Sequence, residues 1–327
     1  MILKSTVLIA LVMLAGHSAC GAALAQEKLR LATGVDATFL TLVVAHEKGF
    51  MKKHGIDSEL RQFASGALSL ESVVSGDTDM AFASELAVLR PRAKGARIIG
   101  LARSLYSDDL MGVGARKTIG APKDLVGKPI AYMKGTASEY FLHLYLAKHG
   151  LDPKNVRLVN VAAPEMVATM ARGDVEAMFA WEPWFTRMRT VIPDSHVLAR
   201  SGQDGVYTLQ YLCMVAETSL VAKRKTLENG MRALIEATAW LNDSANAKEA
   251  AALLGKSYRI APADAERQLS EIRYVIDLTP EFRRDISRAA DWLIAQGLIE
   301  RSATGSVVSG LIVPDVLKAV APTRVRE

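Results

Sequence analysis

Gly76-Asp77-Thr78-Asp79-Met80-Ala81-Phe82-Ala83 returns 97 positions later as Gly173-Asp174-Val175-Glu176-Ala177-Met178-Phe179-Ala180. In both copies a glycine closes a helix-like run, and an acidic turn then leads into a short apolar run. That is a helix end followed by a buried strand. A second pair keeps nearly the same offset: Lys53-His54-Gly55-Ile56-Asp57 is echoed 95 positions on by Lys148-His149-Gly150-Leu151-Asp152. Two landmarks at almost one spacing, each at the same point of the strand–helix order, predict two α/β lobes of similar topology.

Outward from these landmarks, residues 28–32, 57–63, 79–83, 97–101 and 110–114 read as strands, and 39–53 and 67–74 as helices. The alternation predicts an α/β protein with two mixed, mostly parallel sheets flanked by helices. After about Thr208 the alternation gives way to helices. Met231, Leu234, Ile235, Thr238 and Leu241 share one helical face. Thr279-Pro280-Glu281 opens a helix that carries Phe282, Ile286, Ala289 and Leu293 inward and stops at Gly297. This tail has too little strand signal for a third lobe and is expected to pack on the first. The chain then crosses between lobes twice, near residues 104–109 and 204–209. Residues 26–107 with 208–327 are expected to form lobe 1 and residues 108–207 lobe 2, with a hinged cleft between them.

Composition narrows the function. The 327 residues carry 40 Lys plus Arg against 35 Asp plus Glu, a net charge of +5, with 6% aromatic residues and no basic–aromatic stripe. Nucleic acid is therefore not an expected partner. Lys4, the apolar run over residues 7–15 and Ala23-Leu24-Ala25 read as a signal peptide over residues 1–25, cut after Ala25. Cys20 lacks a proper lipobox before it. After cleavage only Cys213 remains, so no disulfide can form within the chain, and a periplasmic location is expected. Tyr211, Leu212, Met214 and Val215 make Cys213 look like a buried strand residue.

Catalytic signatures are scarce. Gly255-Lys256-Ser257 lacks the earlier glycine and the preceding strand of a phosphate loop, and His46-Glu47 lacks the second histidine of a zinc helix. No Gly-x-Ser-x-Gly elbow is present. No catalytic residue, metal ligand or cofactor is expected. The informative positions are the strand-to-helix turns, where open α/β sheets bind ligands and helix N-termini offer free N–H groups. Small hydroxyl residues and glycines fill them: Thr38, Ser65-Gly66, Ser84, and Gly135-Thr136-Ala137-Ser138. The same residue types also serve as ordinary helix caps. Glu85 and Glu182 follow the two matched strands at equivalent places, Glu182 between Trp181 and Trp184. Each suits either a helix N-terminus or a ligand's donor group. Arg103, just before the first crossing, is expected in a salt bridge rather than on an anion.

With these residues in view, the chain resembles the periplasmic solute-binding proteins of ABC importers of the nitrate/sulfonate/taurine type, a family that also includes thiamine-pyrimidine binders. The resemblance is carried by Phe50, Gly55-Ile56-Asp57, Phe63-Ala64-Ser65-Gly66 and Ser75-Gly76-Asp77-Thr78-Asp79. It continues through Asp124-Leu125-Val126-Gly127-Lys128, Lys134-Gly135-Thr136, Arg172-Gly173-Asp174-Val175-Glu176-Ala177 and Trp181-Glu182-Pro183. It implies a two-lobe periplasmic-binding-protein fold that closes on a small-molecule solute and presents it to an inner-membrane ABC permease with its ATPase. It also implies a monomeric binder with Thr38, Ser65, Gly66, Ser84, Glu85, Gly135, Thr136, Ser138, Trp181 and Glu182 at the ligand. Sulfonate binders often show Trp-Asp-Pro-Phe where Trp181-Glu182-Pro183-Trp184 stands, so an amine-bearing solute such as a thiamine-precursor pyrimidine is the alternative. A pyrimidine synthase-like enzyme on the same fold carries a cysteine-rich motif that this chain lacks.

Overall fold

The glycines that mark the repeat do the same structural work in both copies. Gly76 and Gly173 take φ of 84° and 85°, a left-handed conformation that stops a helix and turns the chain into the next strand. A computed structural model describes residues 27–300 and 307–326. The expected signal peptide and its cleavage point lie outside the described residues.

In chain order, β1 (Glu27–Thr33), α1 (Leu40–Glu47), α2 (Phe50–Lys53), β2 (Ile56–Gln62), α3 (Gly66–Ser75), β3 (Met80–Ser84), α4 (Glu85–Ala93) and β4 (Ile98–Ser107) come first. The middle of the chain holds β5 (Met111–Arg116), β6 (Pro129–Tyr132), α5 (Ala137–Lys148), β7 (Arg157–Asn160), α6 (Ala163–Ala171), β8 (Ala177–Trp181), α7 (Trp184–Val191) and β9 (Ser195–Arg200). Then follow β10 (Leu209–Ala216), α8 (Glu217–Ala222), α9 (Arg224–Asn242), α10 (Ala247–Tyr258), α11 (Pro262–Ser270), β11 (Arg273–Asp277), α12 (Pro280–Ala295) and a short helix Asp315–Val320.

The strands form two sheets. One runs β11-β4-β10-β3-β1-β2 and the other, read in the same sense, β9-β5-β8-β6-β7. The repeated landmarks fall on matching strands: β2 and β7 follow the first pair, and β3 and β8 carry the second. Every residue of β3 and β8 is buried. The sheets are mixed, as expected, but the expectation of mostly parallel pairing is corrected. Only β1 with β2 and β3, and β6 with β7 and β8, pair in parallel; the other five pairings are antiparallel. For four of these five the reason is the double crossing. Strands that enter a sheet straight after a crossing, β5 and β10, arrive without the helix that a parallel connection requires.

Two other differences are local. The expected helix over 39–53 is broken at Gly49, whose φ of 74° ends α1 before α2 begins. The tail also contributes strands: β10 lies inside the first sheet and β11 at its edge. Seven of the eight β10 residues are buried, so the strand has no alternating pattern to announce it. In the remaining tail α9 lies against α1, α2 and β11, and α12 against α4. Cys213 is buried in β10, where burial pushes its thiol up to about 12. Arg103 on β4 makes a two-pronged pair with Asp277, Nε–Oδ1 and Nη2–Oδ2 both at 2.8 Å.

The chain passes between the sheets at residues 108–110 and 201–208, and the two passages are tied together. Asp108 O accepts from Gly202 N at 2.6 Å and from Ser201 Oγ at 2.8 Å, and Asp108 Oδ1 accepts from Thr208 Oγ1 at 2.5 Å. A Cβ on Gly202 would collide with Asp108.

Candidate functional site

Three helices begin at one point between the sheets. Ser65, Ser84 and Thr136 precede α3, α4 and α5, and all three line one narrow pocket. The first N–H groups of each helix have no partner within the helix, and the helix dipole adds positive potential there. Converging three such ends makes a site for negative charge even though no lining residue is charged.

The cap residues differ in what they leave free. Ser65 accepts from Leu68 N at 3.3 Å. The Thr136 hydroxyl accepts from Ser138 N at 3.2 Å and donates to Met133 O at 2.8 Å, so its proton is already committed. Ser84 makes no capping bond and presents its hydroxyl to the cavity wall. At Gly66 an added Cβ would lie 3.3 Å from Phe82 O and 3.4 Å from Tyr211 Oη, so the close backbone approach favours glycine. Thr38 and Trp181 complete the six expected residues that line the cavity.

Behind that wall is a residue the sequence reading missed. Asp36 caps the helical turn Ala37–Phe39 and accepts from Thr38 N at 2.9 Å and Thr38 Oγ1 at 2.5 Å. Its other oxygen accepts from Trp181 Nε1 at 3.0 Å. Asp36 follows β1 and Trp181 ends β8, so this bond joins the two sheets' halves across the cavity. Burial pushes the Asp36 carboxyl up in spite of the three donors.

Four expected residues lie elsewhere. Side chains alternate along a strand, so the residue after Ser84 or Trp181 turns away from the cavity. Glu182 is fully buried and accepts from Arg267 Nη1 at 2.8 Å, Arg200 Nη2 at 3.2 Å and Thr186 Oγ1 at 2.9 Å. Burial alone would raise its pKa, but the hydrogen bonds and charges of Arg267 and Arg200 bring it below the usual glutamate value. Arg267 belongs to α11, so this cluster clasps the tail to α7. Glu85 Oε1 accepts from Tyr207 Oη, and burial pushes the Glu85 carboxyl up to about 7. Gly135, at φ 80°, donates its N–H to Glu139 Oε2 at 2.7 Å. Ser138 donates to Phe179 O at 2.7 Å and accepts from Met133 N at 3.1 Å, fastening α5 to β8.

The family model described as NMT1/THI5 like matches residues 36–247, the span that carries Asp36, all three helix starts and Trp181. The chain belongs to the NMT1/THI5-like family. The alkanesulfonate-binding protein SsuA of Xanthomonas axonopodis pv. citri, bound to MOPS, superposes with a TM-score of 0.75 at 20% identity, covering 88% of this chain and 98% of that one. The periplasmic nitrate-binding protein NrtA of Synechocystis PCC 6803 does so with a TM-score of 0.76 at 16% identity, covering 90% and 88%. These likenesses establish the two-lobe periplasmic-binding-protein fold. In sequence, the taurine-binding periplasmic protein of Escherichia coli K12 is 31% identical over 165 residues, half of each chain.

Other residues lining the cavity went unread because they carry neither a charge nor a capping group. Leu110 and Met111 come from the first crossing and β5, and Leu209 and Tyr211 from β10. The two crossings were legible, so the residues flanking them could have been assigned to the cleft. For Asp36 the available signal was its cap position, two residues before Thr38.

Proposed function

We propose that this protein is an extracytoplasmic solute-binding component of an ABC importer, a monomer that performs no chemistry. Its site closes on a small anion of the sulfonate, taurine or nitrate class and presents it to a membrane permease with its ATPase. The observation that carries the reading is the convergence of three helix N-termini, from both sheets, on a narrow cavity without a charged side chain. There an anion is held by N–H and hydroxyl donors fixed in place, which favours a charged ligand over its neutral analogue. With no lysine or arginine in the wall, the anion keeps no covalent or ion-pair tether and can be handed on when the halves separate. The related taurine binder and the sulfonate- and nitrate-binding structural counterparts support this class of ligand and a periplasmic location.

The moving parts are residues 26–107 with 208–327 and residues 108–207, hinged at the paired crossings. Their relative motion follows from ligand contacts made by both halves, which bias the closed state. Calorimetric titration with taurine, ethanesulfonate, nitrate and ethanesulfonamide tests the reading. At least one anion is expected to bind saturably while the uncharged sulfonamide does not. Binding of an aminopyrimidine alcohol with no anion bound would replace this ligand class by the alternative. Small-angle scattering with the bound anion should show a profile no larger than that of the free protein.

A further inference from the structure

An open groove lies in front of the anion pocket, and the two share their walls. Val35 lines the groove just before Asp36 and Thr38, Ala64 adjoins Ser65, and Trp184 follows Trp181. The Asp36–Trp181 bond spans the two halves at this shared wall. The pocket also carries Leu110, Met111 and Leu209 from the crossings, whereas no crossing residue lines the groove. Both halves contribute to the groove, so it sits on the side that parts when they swing about the crossings.

Its charge is one-sided. Arg187 comes from α7 in one half, and Lys256 and Arg259 come from the end of α10 in the other. All three are exposed, and no acidic residue lines the groove. Among the described residues none of the three has a carboxylate partner, while Arg90, Arg200 and Arg267 are each paired with one. The Arg187 guanidinium lies over Trp184, 4.7 Å from the ring centre, which leaves its N–H edge free. Exposed charges are screened by water and add little to the affinity of a bound ion, but they attract an approaching one and set its rate of arrival. The pocket has the opposite character, with fixed neutral donors and no charge in its wall. Charge outside and donors inside divide arrival from retention.

We propose that this groove is an outer capture site for the anionic solute, gathered by Arg187, Lys256 and Arg259 before it passes the Asp36–Trp181 bond. The proposal rests on the reading of the inner pocket as an anion site. It sharpens the solute class through rate: a net anion is loaded faster than a zwitterion of similar shape. Of two sulfonates that fit the pocket, ethanesulfonate therefore gains from the groove and taurine does not.

Stopped-flow tryptophan fluorescence on the full chain tests this with ethanesulfonate, nitrate and taurine. The salt is varied from about 10 mM to about 1 M, which shortens the screening length from roughly 30 Å to 3 Å. Association of the two anions should slow steeply with salt. Taurine, with no net charge, should slow much less, and so controls for competition by the salt itself. Arg187→Gln, Lys256→Gln and Arg259→Asn together should lower anion association about three- to tenfold at low salt and leave dissociation within about twofold. Asparagine is chosen because Arg259 has a left-handed φ of 56°. Lys148→Gln, Lys154→Gln and Arg157→Gln together remove as much charge outside the groove, beyond the end of α5 remote from the pocket, and should leave association unchanged. Anion association that is insensitive to salt, unchanged in the groove variant, or lowered equally in the control overturns the proposal while the pocket stands. If no anion binds at equilibrium, the anion reading itself fails and this inference falls with it.

Discussion

Glu85 and Glu182 stand at the same station in the two halves, each directly after a fully buried strand at a helix start, yet they live under opposite electrostatics. Glu182 is surrounded by arginines and held ionised below the usual range, whereas burial, with the acidic Asp285 adding to it, pushes Glu85 up to about 7 against the hydrogen bond from Tyr207. The repeat does not contain this difference. Part of it comes from the tail, which occurs once: α11 offers Arg267 to Glu182 beside Arg200 of β9, and α12 offers Asp285 towards the already buried Glu85. Equivalent backbone places therefore carry equivalent geometry, while their chemistry is set by whatever third element packs on them.

Removing the charge should separate the two sites most. Glu182→Gln leaves Arg267 and Arg200 without their shared buried carboxylate, and we expect a loss of about 3 kcal/mol, at the low end for a broken buried pair because both arginines reach solvent. Glu85→Gln at pH 6 resembles the protonated acid already present and should change stability by less than about 1 kcal/mol. Urea unfolding of both variants at pH 6 decides it; equal losses would break the comparison.

The pH responses should also run in opposite directions. Glu85 binds its proton more tightly folded, with a value of about 7 against 4.5, so stability falls as the pH rises between those values. The fall is on the order of 3 kcal/mol. For Glu182 the folded value is the lower one, so its contribution is full above the ordinary glutamate range and is lost as the pH falls beneath it. Unfolding free energies from pH 3 to 8 should lose the upper slope in Glu85→Gln. They should lose the acid-side dependence in Glu182→Gln.

The smallest effects distinguish the caps. Thr136→Ala removes a bond to Ser138 N and should lower stability by about 1 kcal/mol. Ser84→Ala removes no cap, so its melting temperature should hold while anion affinity drops roughly two- to tenfold. Differential scanning calorimetry beside titration of the two variants reads both. A Ser84→Ala variant that loses stability but not affinity would reassign that hydroxyl to the scaffold.

The sequence disclosed the frame of this molecule more fully than its site. Gly76 and Gly173 were legible because a left-handed helix stop demands glycine wherever it occurs. Ser65 and Thr136 were legible because hydroxyls cap helices at strand ends, and Thr38 and Ser84 because they stand at the same kind of turn although neither caps a helix. What could not be read was which way a residue faces at a strand's last step, and so Glu85 and Glu182 were expected in the cleft. Nor could β10 be seen at full length, since a strand buried on both faces shows no alternation. The bond from Trp181 to Asp36 and the place of Tyr211 in the wall depend on contacts between segments distant in the chain, which no local pattern encodes.

The exchange of strands at the crossings has a consequence for how the chain is made. β10 lies between β3 and β4, and Leu209 pairs with Ser107 across about 100 intervening residues. A ribosome that has released everything through β9 has finished the second sheet, but the first still lacks an interior strand and β4 has no neighbour. The half that begins first is thus completed last, and its closing pairings carry the long sequence separations that slow folding. A fragment ending at residue 107 should expose the bare edges of β3 and β4. To stand alone, that half needs the tail supplied in trans or fused back after a short linker.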